Sequence, residues 1–385
     1  MATGMPIACV MGDMDLVRPL GLRGIPCAVV AGRGSPARYS RFARTILDWE
    51  DFSERPEELA AMLVRYGSRQ PSAPVLFYES DAQLLFLSRH RDLLAEVFRF
   101  VVADAELVED LVDKARFQVL AERLALPVPR TRQIQPAAGS TPTDIDLGFP
   151  LMIKPLTRWK SWEQIGGSNK ALEVETPAAL RGLWPRLAES GMAFLAQERI
   201  PGPETRVESY HVYVDWDGKR VGEFTGRKIR TRPVAYGHST ALEIADLPDV
   251  ASLGRELVQR MGLRGVAKLD FKRSPDGRLY LLEVNPRFNL WHHPGAIAGV
   301  NLPALVYADL VGLPRQAPSV ARAGVRWCRI WRDLAAAKEW GVPLPRWLLW
   351  VARCEAKSAV SWDDPMPFVH GLMLWSRSAR DSAVH

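Results

Sequence analysis

Residues 266–287 read Val266-Ala-Lys-Leu-Asp270-Phe-Lys-Arg-Ser-Pro-Asp-Gly-Arg-Leu-Tyr-Leu-Leu-Glu283-Val-Asn285-Pro-Arg287. Two alternating stretches flank Ser274-Pro-Asp-Gly277, whose turn chemistry predicts a hairpin with a longer loop. Side chains alternate along a strand, so Leu269, Phe271, Leu282 and Val284 are expected on the core face. Asp270, Glu283 and Asn285 then share the other face, with Asp270 almost opposite Glu283. Two carboxylates and an amide oxygen are hard ligands, suited to Mg²⁺ carried in on nucleotide phosphates. Arg287 follows at once, and its planar fork suits phosphate or carboxylate. The plain alternative is a solvated hairpin face. The carboxylate pair, the nearby Asn and the Pro286-Arg287 stop favour the metal reading.

The chain has 385 residues, 47% apolar and 24% charged, which predicts a globular protein of two or three domains. A net charge of +6 is spread without a basic block. It suits anionic small substrates at least as well as nucleic acid, and neither nucleic acid nor a membrane is expected as a partner. Cys9, Cys27, Cys328 and Cys354 lack Cys-x-x-Cys spacing, so buried apolar roles and a reducing cytoplasm are expected. No signal peptide is expected. Trp347-Leu-Leu-Trp-Val-Ala is too short to span a bilayer and reads as core or interface.

Short apolar strands alternate with helices over residues 6–105, which implies a parallel sheet. Such sheets bind ligands at the carboxyl ends of their strands, where Gly12-Asp13 and Glu79-Ser80-Asp81 would sit. Ordinary turn and N-cap chemistry is the favoured reading of both. One long helix is expected over Asp81–Ala95 and an amphipathic one over Asp113–Leu124. The middle of the chain has antiparallel α+β character, and the residues after about 318 form a Trp- and Arg-rich extension. The expected domains are 1–108, 109–318 with a lid at about 149–200, and 319–385.

Lys154 follows Leu151-Met-Ile on a buried strand, where an ammonium needs an anionic partner. Gly166-Gly167-Ser168-Asn-Lys170 allows backbone N–H groups to approach phosphate oxygens. Gln197 and Glu198 end an apolar strand that could offer its backbone to an adenine edge. Glu204 suits ribose hydroxyls, although a solvated hinge is the plainer reading of both acids.

Taken in order, these motifs resemble the ATP-grasp superfamily: Lys114 in Asp-Lys-Ala-Arg-Phe, Lys154 in Met-Ile-Lys-Pro, the glycine loop, Gln197-Glu198 with Glu204, and Asp270…Glu283-Val-Asn285-Pro-Arg287. The resemblance implies an α/β N-terminal parallel-sheet (pre-ATP-grasp) domain, then α+β ATP-grasp subdomains that clasp ATP, then a C-terminal extension. Lys114, Lys154, Gly166, Gly167, Ser168 and Lys170 would hold phosphates, Glu198 with Gln197 adenine, and Glu204 the ribose. Asp270, Glu283 and Asn285 would bind Mg²⁺, with two ions expected and Mn²⁺ as an alternative. Lys228 and Arg230, in Gly226-Arg-Lys-Ile-Arg-Thr-Arg-Pro, and Arg287 would meet the γ-phosphate and the acyl substrate. Leu16-Val-Arg-Pro-Leu-Gly-Leu, Ala37-Arg-Tyr-Ser-Arg, Leu87-Ser-Arg-His-Arg and Ser361-Trp-Asp-Asp-Pro-Met-Pro look like the D-aspartate ligase-like branch of carboxylate–amine ligases. The loop Thr157–Gln164 departs from a short glycine loop, and its Trp159 and Trp162 are expected to form a lid or a substrate wall, or to pack on the core.

The expected reaction is ATP-dependent condensation of a small carboxylate and an amine through an acyl phosphate. No Ser-His-Asp or Cys-His constellation is evident, which fits catalysis by positioning and charge neutralisation. A nucleotide-binding protein without turnover, and an enzyme using a thiol or another non-amine acceptor, are the alternatives. A homodimer is the expected assembly on the resemblance. His292 and His293 are expected to pack or cap.

Overall fold

The computed structural model describes residues 5–142, 145–156, 162, 165–166, 171–315 and 319–372. The N-terminal sheet contains β1 (Ala8–Met11), β2 (Cys27–Ala31), β3 (Ala43–Asp48) and β4 (Val75–Tyr78), all parallel in the order β3-β2-β1-β4. β1, β2 and β4 are continuous apolar runs because helices cover both faces of the sheet. β3 is an edge strand with half-exposed, partly polar residues, which is why periodicity does not reveal it. The helix expected over Asp81–Ala95 is broken at His90 into Asp81–Arg89 and Arg91–Ala95. Ser80 starts the first of these with a capping box to Gln83.

A second, antiparallel sheet is built from β5 (Thr131–Ile134), β6 (Leu151–Pro155), β7 (Leu172–Val174) and β8 (Phe194–Glu198), in the order β5-β8-β6-β7. This sheet holds the strands of the segment expected as the lid, about 149–200, and adds β5 from before it. The inward residues Leu151, Ile153, Val174, Phe194 and Ala196 pack with Leu180, Trp184 and Leu187 of the helix Pro177–Glu189. Trp162 is 3% exposed in the same core, 6.2 Å from the Phe194 ring, so it packs rather than forming a substrate wall. Trp159 lies outside the described residues.

The body is a six-stranded sheet of β9 (Val207–Val214), β10 (Arg220–Arg232), β11 (His238–Ile244), β12 (Gly265–Arg273), β13 (Leu279–Asn285) and β14 (Arg326–Cys328). Their order is β13-β12-β9-β10-β11-β14. One face carries Tyr210, Val212, Leu269, Phe271 and Val284 against the helix Pro248–Arg260. The opposite face carries Ser209, His211, Lys268 and Asp270, in register across β9 and β12. On β13, Leu281 and Val284 are buried, and Leu282 is not. The β12–β13 ladder slips by one residue between Asp270 and Phe271, pairing Asp270 with Glu283 but Phe271 with Leu281. Such a bulge leaves Leu282 as the extra residue and re-aims the chain beside a site.

The C-terminal segment is woven into the body. β14 completes the sheet beside β11, and Asp333 of the helix Ile330–Glu339 is fully buried against β10. Asp15, also fully buried, accepts from His293 Nδ1 at 3.1 Å, Trp327 Nε1 at 2.8 Å and Ser358 Oγ at 2.8 Å, assigning the His293 proton to Nδ1. One carboxylate thus joins the N-terminal domain, the body and the C-terminal segment. His293 lies in this seam, whereas its neighbour His292 is buried against the rings of His211, Phe224 and Phe288, and burial holds its pKa down at about 3.

Candidate active site

The hairpin register sets Asp270 against Glu283, and Asn285 Nδ2 donates to Glu283 Oε1 at 3.1 Å. Asp270 is 1% exposed, whereas the Glu283 side chain is exposed. Burial disfavours the Asp270 anion, but Lys268, Lys228 and the Ser209 hydroxyl outweigh it and hold its pKa below the usual carboxylate range. Lys268 Nζ lies 2.7 Å from Asp270 Oδ2 and 3.7 Å from Glu283 Oε1. Burial also works against the Lys268 charge, and the two carboxylates reverse this and raise its pKa. Lys268 and Lys272 were missed by the sequence reading, although Lys268-Leu-Asp270-Phe-Lys272 places all three polar residues on one strand face. Lys272 Nζ donates to the Pro203 carbonyl at 2.7 Å and lies 3.5 Å from Glu204 Oε1.

The lid supplies the opposing wall. Lys154 Nζ donates to Gln197 Oε1 at 2.6 Å, and Gln197 Nε2 donates to Thr131 Oγ1 at 2.9 Å, which orients the amide. Burial lowers the Lys154 pKa, while Glu283 and Glu204 act in the opposite direction. A lid lysine therefore feels a carboxylate of the hairpin and one of the hinge. Lys114 Nζ donates to the carbonyls of Pro155 and Leu156, at the lid strand's exit. Gly166 lies beneath Trp162, where a Cβ would come within 2.4 Å of the ring. Gly167, Ser168 and Lys170 lie outside the described residues.

Three expected site residues stand elsewhere. Arg230 makes a bidentate pair with buried Asp333, Nε–Oδ1 at 2.9 Å and Nη2–Oδ2 at 2.6 Å, and stacks over Trp350. A bulge between Lys228 and Arg230 separates their directions, leaving Lys228 near Asp270 and turning Arg230 into the packed C-terminal seam. Glu198 Oε1 accepts from the Gly148 N–H at 2.7 Å and from Arg130 at 3.1 Å, so this side chain serves the lid's own turn. Arg287 donates to Asp81 Oδ1 at 2.6 Å, to the Glu79 carbonyl at 2.9 Å and to Asn285 Oδ1 at 3.2 Å. It ties the hairpin end to the N-terminal domain instead of standing free for a phosphate.

Asp13 and Ser80 are N-caps, as expected from turn chemistry. Glu79 does more. Its Oε2 accepts from the Asp13 N–H at 2.6 Å, and burial together with the Asp13 charge pushes its pKa up to about 7. Arg329, from the C-terminal segment, lies 3.3 Å from Asp13 Oδ2.

Comparison with known proteins places this architecture. The family described as "ATP-grasp in the biosynthetic pathway with Ter operon" matches residues 192–330. The D-aspartate ligase of Enterococcus faecium is 25% identical over 292 residues, 72% of this chain and 68% of that one. The D-alanine–D-alanine ligase of Pseudomonas putida is 26% identical over 231 residues, 55% of this chain and 66% of that one. Among solved structures, the L-amino acid ligase from Bacillus licheniformis shares the fold with a TM-score of 0.59 and 14% identity, covering 81% of this chain and 75% of that one. The ADP complex of purK, an N5-carboxyaminoimidazole ribonucleotide synthetase, does so with a TM-score of 0.63 and 14% identity, covering 84% and 81%. Residues 192–330 thus match an ATP-grasp family, and the parallel N-terminal sheet and the two antiparallel sheets share their fold with these solved enzymes. By sequence the chain is similar to D-aspartate and D-alanine–D-alanine ligases.

Proposed function

We propose that this protein is an ATP-dependent carboxylate–amine ligase that forms an amide through an acyl phosphate, releasing ADP and phosphate. One observation carries the reading: the Lys154 ammonium lies within electrostatic reach of Glu283 and Glu204, Lys268 and Lys228 lie beside Asp270, which pairs with Glu283 in the hairpin that ends in Asn285, and Lys272 lies 3.5 Å from Glu204. Four lysines and three carboxylates gathered in this way suit a polyphosphate with a divalent cation better than any neutral ligand.

The donor set fits Mg²⁺. Asp270 is a buried, deprotonated carboxylate, Glu283 is its cross-strand partner, and Asn285, whose Oδ1 here accepts from Arg287, would add an amide oxygen once its amide turned over, which suits a cation that brings phosphate and water as its other ligands. When bound, the ion would neutralise the charge on the β- and γ-phosphate oxygens. Lys154 and Lys114 sit on the lid side to bind phosphates, and Glu204 sits beside the hinge to accept from ribose hydroxyls. Lys228 and Lys268 lie on the side of the hairpin carboxylates, where they stabilise negative charge on the transferring phosphoryl group. A carboxylate oxygen of the substrate attacks the γ-phosphorus and the bond to the ADP oxygen breaks. The amine nitrogen then attacks the acyl carbon, phosphate leaves, and the ammonium proton passes to solvent or a nearby base. Phosphorylation is needed because a carboxylate oxygen is otherwise a poor leaving group. Closure of the lid keeps water from the acyl phosphate.

The substrates are a small carboxylic acid and a small amine, in keeping with the relatives' names. The decisive experiment screens amino acids and amines for stimulated ADP release, with mass spectrometry of the product. ADP release that needs both partners, together with a condensed product, supports the reading. ATP binding with no amine-dependent turnover across the screen would replace it with the sensor reading.

A further inference from the structure

Glu173 joins the lid to the body away from the phosphate lysines. It lies on β7, the edge strand of the lid sheet, paired with Met152 of β6. Its Oε1 is 2.8 Å from Arg199 Nε, just past β8, so that contact stays within the lid. Its Oε2 accepts from the Tyr236 hydroxyl at 2.9 Å, and Tyr236 belongs to the body.

Tyr236 sits at the tip of the β10–β11 hairpin with φ +57°, a left-handed conformation uncommon for a bulky residue. The next residue, Gly237, makes this tip possible, because a Cβ there would fall 2.1 Å from the Pro233 carbonyl oxygen. Thr231 Oγ1 donates to the Val234 carbonyl at 2.7 Å and closes the turn on itself. Non-glycine residues hold such conformations only where their surroundings impose them.

Those surroundings come from the C-terminal segment. Arg230 pairs with Asp333, Arg232 Nε donates to Glu339 Oε1 at 2.6 Å, and Trp340 Nε1 donates to the Thr231 carbonyl at 2.9 Å. Three successive residues at the base of the tip are therefore held by one helix and its C-cap, a helix that begins where the family match ends at residue 330.

We propose that Tyr236 is a positioning residue that latches the lid to the body through Glu173, and that the helix Ile330–Glu339 braces the hairpin so that the latch can form. Its consequence for catalysis rests on the ligase reading. A lid held shut keeps the acyl phosphate for the amine, and a loosened lid loses it to water.

The test uses the full chain and reads the latch before it reads chemistry. Tyr236→Phe removes only the hydroxyl, Glu173→Gln removes the charge, and Glu339→Gln loosens the brace. Without nucleotide, amide hydrogen exchange in residues 151–155 and 172–174 is expected to quicken about five- to tenfold in Tyr236→Phe and in Glu173→Gln, at an unchanged melting temperature. The double variant is expected to be no faster than either single one, because both break the same contact. Glu339→Gln should give a smaller increase of the same pattern. With substrates, amide formed per ATP consumed should fall at least threefold in Tyr236→Phe, while phosphate release changes less than twofold. Parental exchange in Tyr236→Phe overturns the latch whatever the ligase assay gives. Parental exchange in Glu339→Gln overturns the brace. Faster exchange without turnover by any variant or the parent upholds the latch and removes the ligase reading instead.

Discussion

Asp270 and Glu283 stand directly across from one another in the β12–β13 ladder, with the Lys268 ammonium 2.7 Å from the first and 3.7 Å from the second. The lysine neutralises a carboxylate pair that would otherwise repel at this spacing. On the metal reading, the pair would offer two aligned oxygen donors to a cation arriving with a nucleotide.

Asp270→Asn keeps the shape and removes the charge. Amine-dependent phosphate release is expected to fall at least 100-fold, a barrier increase of about 2.7 kcal/mol or more. Steady-state phosphate assays at saturating Mg²⁺ check this. Turnover near the parental rate in both Asp270→Asn and Glu283→Gln would remove the metal assignment.

Lys154→Met separates binding from stability. Burial lowers the Lys154 pKa, so its charge is disfavoured in the folded protein, and the apolar replacement should leave the melting temperature equal or higher. The KM for ATP should rise about tenfold or more, equivalent to about 1.4 kcal/mol. An unchanged KM would place the phosphates elsewhere.

Arg230→Ala tests the opposite assignment. Removing one partner of a buried ion pair strands the other, and Asp333 also accepts from Thr240 Oγ1 and Trp347 Nε1. A loss of about 3–5 kcal/mol is expected from the denaturant midpoint. Replacing both partners, Arg230→Met with Asp333→Leu, should recover most of it. A stable Arg230→Ala protein with abolished chemistry would return Arg230 to the catalytic set.

Glu79 gives a pH signature. Its folded pKa of about 7 lies above the ordinary carboxyl value, so the folded state holds its proton more tightly than the unfolded chain. The stability it contributes is complete below about pH 4 and is lost as pH rises through 7. Buried His292, with its pKa lowered, acts in the reverse sense, since its stability contribution is lost as pH falls from about 6.5 towards 3. Comparing Glu79→Gln with the parent isolates the first effect. The variant's melting temperature should lose its decline between pH 4.5 and 7, and parallel curves would show that Glu79 titrates normally.

Much of the architecture was legible in the order of residues. Alternation in 266–287 placed Asp270, Glu283 and Asn285 on one face, and the buried run before Lys154 marked a lysine in need of a partner. Asp13 and Ser80 announced helix starts through their own chemistry. These features are local, because strand alternation and capping are decided within a few residues. Leu282 shows the limit of that logic. A single-residue bulge moved burial to Leu281, and only the neighbouring strand's register imposes it.

By itself the sequence determined the strand faces, the hairpin, the lid lysine and the ligase-like order of motifs, since each follows from short-range periodicity or residue type. The tertiary structure alone decided which charges meet. Arg230 finds Asp333 103 residues away, Tyr236 finds Glu173 63 residues away, and Arg287 finds Asp81 206 residues away. Charge pairing across such separations depends on how whole layers pack, and no local pattern specifies it.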